Sequence, residues 1–498
     1  MKKLYKSLLY ILPLVLCFSY FPVISLGGNE TMNFELSLSL LWLVVFDILA
    51  VVMICQKYRA EIFSKVFGSI LWWLFPIFAT LSVIWSLNVT RGILTVGVMW
   101  LLFFSVIAFY ELRENLDEKF WKVFWRWFFG SALFVCVWCV VQCILDVAGV
   151  SQDVTLLCDG CVYKMFGFPH PNGFSIEPQF MGNLLLAPIL VITWMLLTNN
   201  NSTFRTRVAS ARRHGRSALF LGRNLRTVLK VLLLFVFAAT LFLTFSRGAI
   251  YACVVGLSFL WCFSYFKARK AERKRVCFSI LKSLGMFVVA FLFTLNLQGI
   301  FAAVSPTSDG YFDGVAKVVN HLSLGIIDIK GEKEGVASED VGEPVENHVE
   351  NLEENKGELV KTEPLFDGYV AESTDTRVRL SKAALDIWKK DFKTMVIGVG
   401  IGGAGQALYN NGLSPAPKEI VQNEYASLLL ETGLIGVFLF ILMLVLAVRM
   451  TLKKCEVCGM VLALLVAYGV SFVFFSGLPN ALHIVLLPGL IYNLRFRR

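Results

Sequence analysis

The chain has 498 residues, 57% of them hydrophobic and only 16% charged, with a mean hydropathy of +0.67. A soluble domain carries roughly 25% charged residues, so an ordinary globular protein is excluded. The formal net charge of +10 would suggest nucleic acid in a soluble chain. Here the basic residues cluster in short stretches between apolar runs, where membrane topology accounts for them and no nucleic-acid partner is expected.

A membrane span needs roughly 20 mostly apolar residues, and about twelve such runs follow one another. They lie near 8–27, 36–55, 67–86, 93–110, 124–148, 175–198, 228–245, 248–266, 277–296, 432–450, 457–476 and 479–494. The first, behind Lys2 and Lys3, lacks a small-residue cleavage site and reads as a retained anchor. With a cytoplasmic N-terminus, "QKYRAEIFSK", "RTRVASARRHGRSALFLGRNLR", "KARKAERKR", "RMTLKK" and the final "RFRR" all fall on one side. Both termini are then cytoplasmic, and the many Phe and Trp suit lipid-facing and interfacial positions. The expected fold is an all-α polytopic membrane protein. Its parts are residues 1–296 with nine spans, a large extracytoplasmic loop at 297–431, and residues 432–498 with three more.

Within that loop, about 328–365 is acidic, poor in aromatics and dotted with Gly and Pro, the composition of a disordered insert. Residues 376–393 follow with Val378, Leu380, Ala384, Leu385 and Trp388 at roughly helical spacing, which predicts an amphipathic helix lying over the membrane domain. Most of the twelve Cys lie in apolar segments and act as small hydrophobes. Cys158 and Cys161, in "LLCDGCVYK", sit in a polar loop. A lone pair at this spacing is weak as a metal site; a local disulfide on an oxidising face and an unpaired role both stay open.

Four polar constellations interrupt the apolar pattern, all on the extracytoplasmic side of this topology. "GFPHPNGFSIEPQFMG", residues 167–182, carries His170, Asn172 and Glu177 at the mouth of a span. "TFSRGAIYA" places Arg247 between two spans, and an arginine at membrane depth is a functional candidate because its charge costs several kcal/mol there. Snorkelling to the interface is the competing explanation. Arg377 and Arg379 lie on the loop helix, where a solvated face is the alternative. "GVGIGGAGQAL" contains a Gly-x-Gly-x-x-Gly pattern, but no βαβ unit surrounds it. A tight loop whose backbone N–H groups approach an anion fits better than a nucleotide site. "IVQNEYASLLLETGLIG" then brings Gln422, Asn423, Glu424, Tyr425 and Glu431 to the membrane edge.

Arginines supply bidentate donors for phosphate, amides and carboxylates suit sugar hydroxyls, and a carboxylate can accept the proton of an attacking hydroxyl. The inventory suits a ligand with a diphosphate and sugars. Metal ligation is not expected: the outward-facing histidines are His170, His321 and His348, and no acidic pair stands near a span.

These motifs together resemble the O-antigen ligase and polymerase superfamily of bacterial envelope proteins. "LSVIWSLNVTRGI" resembles its Trp-Ser pair, "GFPHPNGFS" its Gly-x-x-His-Pro-Asn segment, and "TFSRGA" its Ser-Arg-Gly-Ala turn. "RVRLSKAALDIWKKDFKTMVIGVGIGG" resembles its arginine-led loop helix running into Gly-x-Gly-x-Gly, and "QNEYASLLLETGLIG" its His-Asn-x-Tyr segment. The resemblance implies a GT-C-like helical fold in the bacterial plasma membrane. It also implies glycan transfer, on the outer face, from an undecaprenyl diphosphate carrier to a sugar hydroxyl, with no metal or other cofactor. Arg247 and Arg377, with Arg379, would then hold the diphosphate. Asn172, Gln422, Asn423 and Tyr425 would contact the glycan. Gln422 stands where the ligase motif has His, and Gln cannot act as a base, so Glu177, Glu424 and His170 are the candidate catalytic groups. The missing His and the Glu-Pro of "SIEPQF" lean toward a polymerase of O-antigen or exopolysaccharide repeat units, with a chain-length regulator as a candidate partner. An O-antigen ligase, transferring glycan from undecaprenyl diphosphate to a lipid or protein acceptor and so in lipopolysaccharide synthesis, is the first alternative. A flippase of lipid-linked glycans is the second, disfavoured because the halves of the chain do not match.

Removal of roughly residues 331–363 is expected to leave membrane insertion and activity intact, because that composition cannot bury a core. Membrane fractionation and surface-glycan gels of the deletion check this; loss of insertion would make the segment part of the fold.

Overall fold

The computed structural model describes the chain apart from residues 30–31, 59–69, 159–160, 164–166, 211–215, 306–309, 324–365, 415, 454–456, 477–480 and 495–498. The expected acidic insert and His348 therefore lie outside the described residues. From the N-terminus, α1 (Lys2–Cys17) leads through a hairpin of β1 (Val23–Asn29) and β2 (Met32–Ser37) into α2 (Leu38–Tyr58). Then come α3 (Leu74–Ser82), α4 (Val89–Glu111), α5 (Glu118–Val147), α6 (Pro178–Ser210), α7 (Arg216–Leu243), α8 (Arg247–Lys267) and α9 (Lys270–Val304). Four further helices, α10 (Tyr311–Leu322), α11 (Phe366–Trp388), α12 (Phe392–Ile397) and α13 (Ala404–Asn410), precede α14 (Glu424–Lys453), α15 (Cys458–Ser471) and α16 (His483–Ile491).

Among the described residues seven helices, α2, α4, α5, α6, α8, α9 and α14, are long and apolar enough to cross a membrane. Shorter apolar helices cover Leu74–Trp85, Thr227–Leu243 and Cys458–Ser471. The protein is a polytopic helical membrane protein with one departure from the all-α expectation. The run near 8–27 is cut after Cys17, because the Tyr20 and Phe21 N–H groups donate to the Phe174 carbonyl (3.0 and 2.9 Å) instead of continuing the helix. The chain then pairs antiparallel, Ile24 opposite Leu36 and Asn29 opposite Met32.

The two ends of the bundle differ in chemistry. At one, Lys6 reaches Asp117 at 3.0 Å, Lys57 donates to the Glu111 carbonyl at 2.7 Å, and Lys267 lies 3.5 Å from the Cys458 sulfur. The Asp117 carboxylate also caps α5, accepting from the Phe120 N–H at 2.7 Å, and these contacts depress its pKa. The other, the loop end, carries residues 167–177, 245–247 and 398–423. Between the ends runs α6: 89% of its apolar window is buried, against 22–44% for the other six long helices. A helix apolar all round is one that neighbours surround, and α6 packs against α1, α5, α7, α8, α9, α15 and α16. Small residues permit the closest approaches, as expected where helix packing rests on van der Waals contact. A Cβ on Gly256 of α8 would lie 2.8 Å from that of Ala467 on α15, and one on Gly182 of α6 would lie 2.6 Å from Ala249.

At the loop end α9 runs on to Val304, beyond the expected boundary at 297, and α10 folds back on it. The Tyr311 hydroxyl donates to Asn296 at 2.7 Å. Helix α11 begins at Phe366 and ends at Trp388, earlier at both ends than 376–393. Its buried face is Leu380, Ala383, Ala384 and Ile387, packed on α13 and the start of α14. Val378 and Leu385, expected on that face, are exposed. Positions i, i+3, i+4 and i+7 form the stripe, and Val378 stands two residues from Leu380, on another side of the helix.

The segment after α12 is a strand of backbone clamped between two others. On one side Val399 and Gly400 donate to the carbonyls of Leu430 and Glu431, both at 2.9 Å. On the other, Leu87 donates to Val399 (3.1 Å), and the Ser86 hydroxyl donates to the Ile401 carbonyl (2.8 Å). Gly398 and Gly433 have φ of +72° and +61°, and a Cβ at either would fall 2.3–2.5 Å from backbone of the facing segment. Gly433 also breaks the helical path of α14. Gly398→Ala and Gly433→Ala are each expected to cost at least about 1–3 kcal/mol, since strained backbone alone costs that much. Gly97→Ala, which meets open space, should be neutral. Thermal unfolding in detergent checks the contrast; equal midpoints for all three would refute the clamp.

Candidate functional site

Four rings from three separate segments meet at the loop end. Phe168 and His170 come from the loop before α6, Phe245 from the turn between α7 and α8, and His321 from the last turn of α10. The Phe168 and Phe245 centroids are 4.8 Å apart, His170 and Phe245 5.6 Å, and His170 and His321 5.5 Å at 87°. Both imidazoles are buried. The turn ends in Arg247, the first residue of α8 and half-buried, whose charge bears on both histidines. Burial comes first in holding the His170 pKa well below the usual value, followed by the charges of His321 and Arg247. Burial and Arg247 press His321 down to about 4. Both shifts favour neutral rings near pH 7.

Arg377, half-buried on α11, joins this group from the opposite side. Its charge bears on His321 and on Glu177. Glu177, also half-buried, is pushed up by burial, drawn down by Arg377 and pushed up again by Glu419. The structure therefore brings together His170, Glu177, Arg247 and Arg377 and adds His321 and Glu419 to them. It also adds Gln179, whose side-chain oxygen accepts from the Ser246 hydroxyl. Gly248 lets the turn sit against that glutamine: a Cβ there would meet Gln179 at 2.9 Å and Phe474 at 2.5 Å.

Other expected site residues serve the loop framework. Asn172 is fully buried. Its amide nitrogen donates to the carbonyls of Leu156 (3.1 Å) and Ser175 (2.6 Å), and its oxygen accepts from Gln142 at 3.3 Å. It ties its loop to α5 and offers no group to a glycan. Arg379 is exposed, because residues two apart on a helix do not share a face. The Asn423 side chain accepts from the N–H groups of Tyr425 (3.0 Å) and Ala426 (3.1 Å), capping α14. The Tyr425 hydroxyl donates to the Gly469 carbonyl at 2.6 Å, and the Glu424 N–H to the Phe472 carbonyl at 2.9 Å. Gln422, half-buried, takes a left-handed φ of +61° before this cap. The segment Phe472–Phe474 lies between Gln422–Tyr425 and Gly248.

The glycine-rich loop does not wait for an external anion. The Glu431 carboxylate already accepts from the Ala404 N–H at 3.2 Å, with Arg91 bearing on it electrostatically. The Arg91 guanidinium also donates to the Lys418 carbonyl at 3.2 Å. The backbone-nest expectation is corrected accordingly: the anion is the chain's own carboxylate. Cys158 and Cys161 are bonded to each other, and the Cys161 carbonyl accepts from the His170 N–H at 3.2 Å.

If Asn423 caps α14, Asn423→Ala should cost about 1 kcal/mol of stability while Asn423→Asp and Asn423→Ser keep both stability and activity. Loss of glycan product in the Asp and Ser variants at unchanged melting would instead assign it to substrate.

The comparison with known families matches residues 232–441, the stretch that holds Arg247, His321, Arg377 and Glu419, to the O-antigen ligase family. No curated protein matches the chain. That match supports the resemblance of this chain to the O-antigen ligase and polymerase superfamily.

Proposed function

We propose that the protein is a glycosyltransferase that polymerises oligosaccharide repeat units carried on undecaprenyl diphosphate. The observation that carries this reading is the convergence of Arg247 and Arg377, from two distant segments, on His321, with Arg247 also acting on His170 and Arg377 on Glu177. The family gives the general activity, glycan transfer of the ligase or polymerase type.

In this reading the twelve apolar runs all cross the plasma membrane in a GT-C-like arrangement, with both termini cytoplasmic and the loop end outside. The basic residues at the opposite end support that orientation. The diphosphate of the donor lies between the two guanidinium groups. An acceptor hydroxyl attacks the anomeric carbon, the new C–O bond forms, and the bond from that carbon to the diphosphate oxygen breaks. The two cations take up the charge of the departing undecaprenyl diphosphate, stabilisation that a metal supplies elsewhere. The hydroxyl proton passes to Glu177, whose raised pKa brings it closer to a working base. The neutral His170 is the second candidate. Glu424, with its backbone held on the Phe472 carbonyl, takes a place beside the acceptor path.

Arg247→Ala and Arg377→Ala are each expected to lower polymer formation by roughly 10²-fold or more at normal protein levels in the membrane. Normal polymer in both variants would remove the diphosphate role. Lipid-linked intermediates in a strain lacking the protein identify the transfer. A single repeat unit on the acceptor indicates a polymerase, long polymer left on the lipid carrier a ligase, and no external intermediate a flippase.

A further inference from the structure

We propose that His321 is the positioning residue of the Arg247 turn: its imidazole, donating to the Phe245 carbonyl, fixes the left-handed backbone step from which Arg247 projects. The proposal rests on the reading of Arg247 as a diphosphate ligand and adds the group that sets its place.

The turn asks for such a group. Phe245 has φ +46°, an uncommon conformation for a bulky residue, which persists only where the surroundings over-determine it. Three of its contacts bear on the backbone step. The Phe245 N–H donates to the Phe242 carbonyl at 3.0 Å, its ring packs edge-on against Phe168, and its carbonyl lies 3.2 Å from His321 Nε2. A carbonyl has no proton to give, so Nε2 carries it, and the neutral ring takes the Nε2–H tautomer. The first contact is local to the turn and the second is an apolar edge. Only the third ties the turn's carbonyl to a distant element.

That element is well braced. A Cβ on Gly314 of α10 would stand 2.5 Å from the Ala302 side chain of α9, and one on Gly299 of α9 would stand 2.4 Å from the Tyr311 ring. The Tyr311 hydroxyl bond to Asn296 closes the far end. The imidazole at the last turn of α10 is thus delivered from a helix locked onto α9, and Arg247 lies two residues beyond the carbonyl it holds. The next residue, Ser246, is fastened separately to Gln179, so the turn is gripped on both sides of its bend. The same imidazole stands edge-on to His170, which places the histidine of the 167–177 loop in register with the arginine.

The test uses the full chain in nanodiscs, comparing wild type with His321→Leu, which keeps bulk and loses the donor, and His321→Gln, whose amide nitrogen can reach the Nε2 position. Hydrogen exchange across residues 244–250 reads the turn directly, and polymer length in cells reads the outcome. The expected result is at least a 10-fold faster exchange in His321→Leu, restored in His321→Gln. Polymer should be lost in the first and recovered in the second, and His321→Leu added to Arg247→Ala should lower polymer no further than Arg247→Ala alone. Unchanged exchange at 244–250 in His321→Leu overturns the proposal. So does His321→Gln behaving like His321→Leu, including the case in which both fail to fold. Undecaprenyl diphosphate added alone separates the two readings. If it fails to protect 244–250 in the wild type while the exchange pattern of the variants holds, the diphosphate role falls and the positioning role stands.

Discussion

The loop end of this protein depends on a short stretch of backbone, Gly398–Ile401, that has a neighbour on each side and, at Gly398 and Gly400, no room for a side chain. Its N–H groups reach Leu430 and Glu431, and its carbonyls receive Leu87 and Ser86. Two regions far apart in sequence, the end of the α3 segment and the kink of α14, are thereby joined through one strand. Everything the cap presents hangs from that joint. Helix α11 rests on α13 and α14 through Leu380, Ala384 and Ile387, and Arg377 is carried on α11. Had the strand been spaced from its neighbours by side chains, the helix bearing Arg377 would lack a fixed seat.

The electrostatic logic of the site follows from that placement. Two guanidinium groups come near two imidazoles that burial keeps neutral, and a carboxylate stands where one arginine can hold it. In the proposed reading, environment separates the roles: permanent charge for an anion, and a partly desolvated carboxylate for a proton. The second carboxylate, Glu419, raises the proton affinity of Glu177, a contribution that position in the sequence alone does not suggest.

Much of this was legible in the sequence because membranes impose strong rules. Apolar length and basic loops fixed the polytopic class, and Arg247, His170 and Glu177 stood out as polar residues in apolar company, whereas Arg377 was singled out only as a basic residue on the loop helix. Other parts were hidden for identifiable reasons. Asn172 and Asn423 look like ligand-binding amides, yet backbone groups claim them, and no residue pattern distinguishes an amide that caps a helix from one that meets a sugar. The glycines resemble an anion nest, but the carboxylate that fills it, Glu431, lies 27 residues from the Ala404 N–H it accepts from, and the pairing is tertiary. His321 carried no motif at all; its meaning comes from the strained Phe245 beneath it. The available signal was Phe245 itself, a bulky residue two positions before a helix start, although a positive φ is visible only in three dimensions. Spacing alone also misplaced the buried face of α11, because Leu380 and Val378 are both apolar and only packing chooses between them.

Gly433 gives α14 the form of a crank. Its short arm, Glu424–Thr432, belongs to the cap, and its long arm descends as the least enclosed of the long helices. A crank transmits motion only if its elbow cannot turn, and this elbow is pressed against the Val396 and Ile397 backbone with no space for a methyl group. The packing at the elbow thus sets the angle between the two arms. One helix therefore runs from lipid, along its long arm, to the floor on which α11 sits.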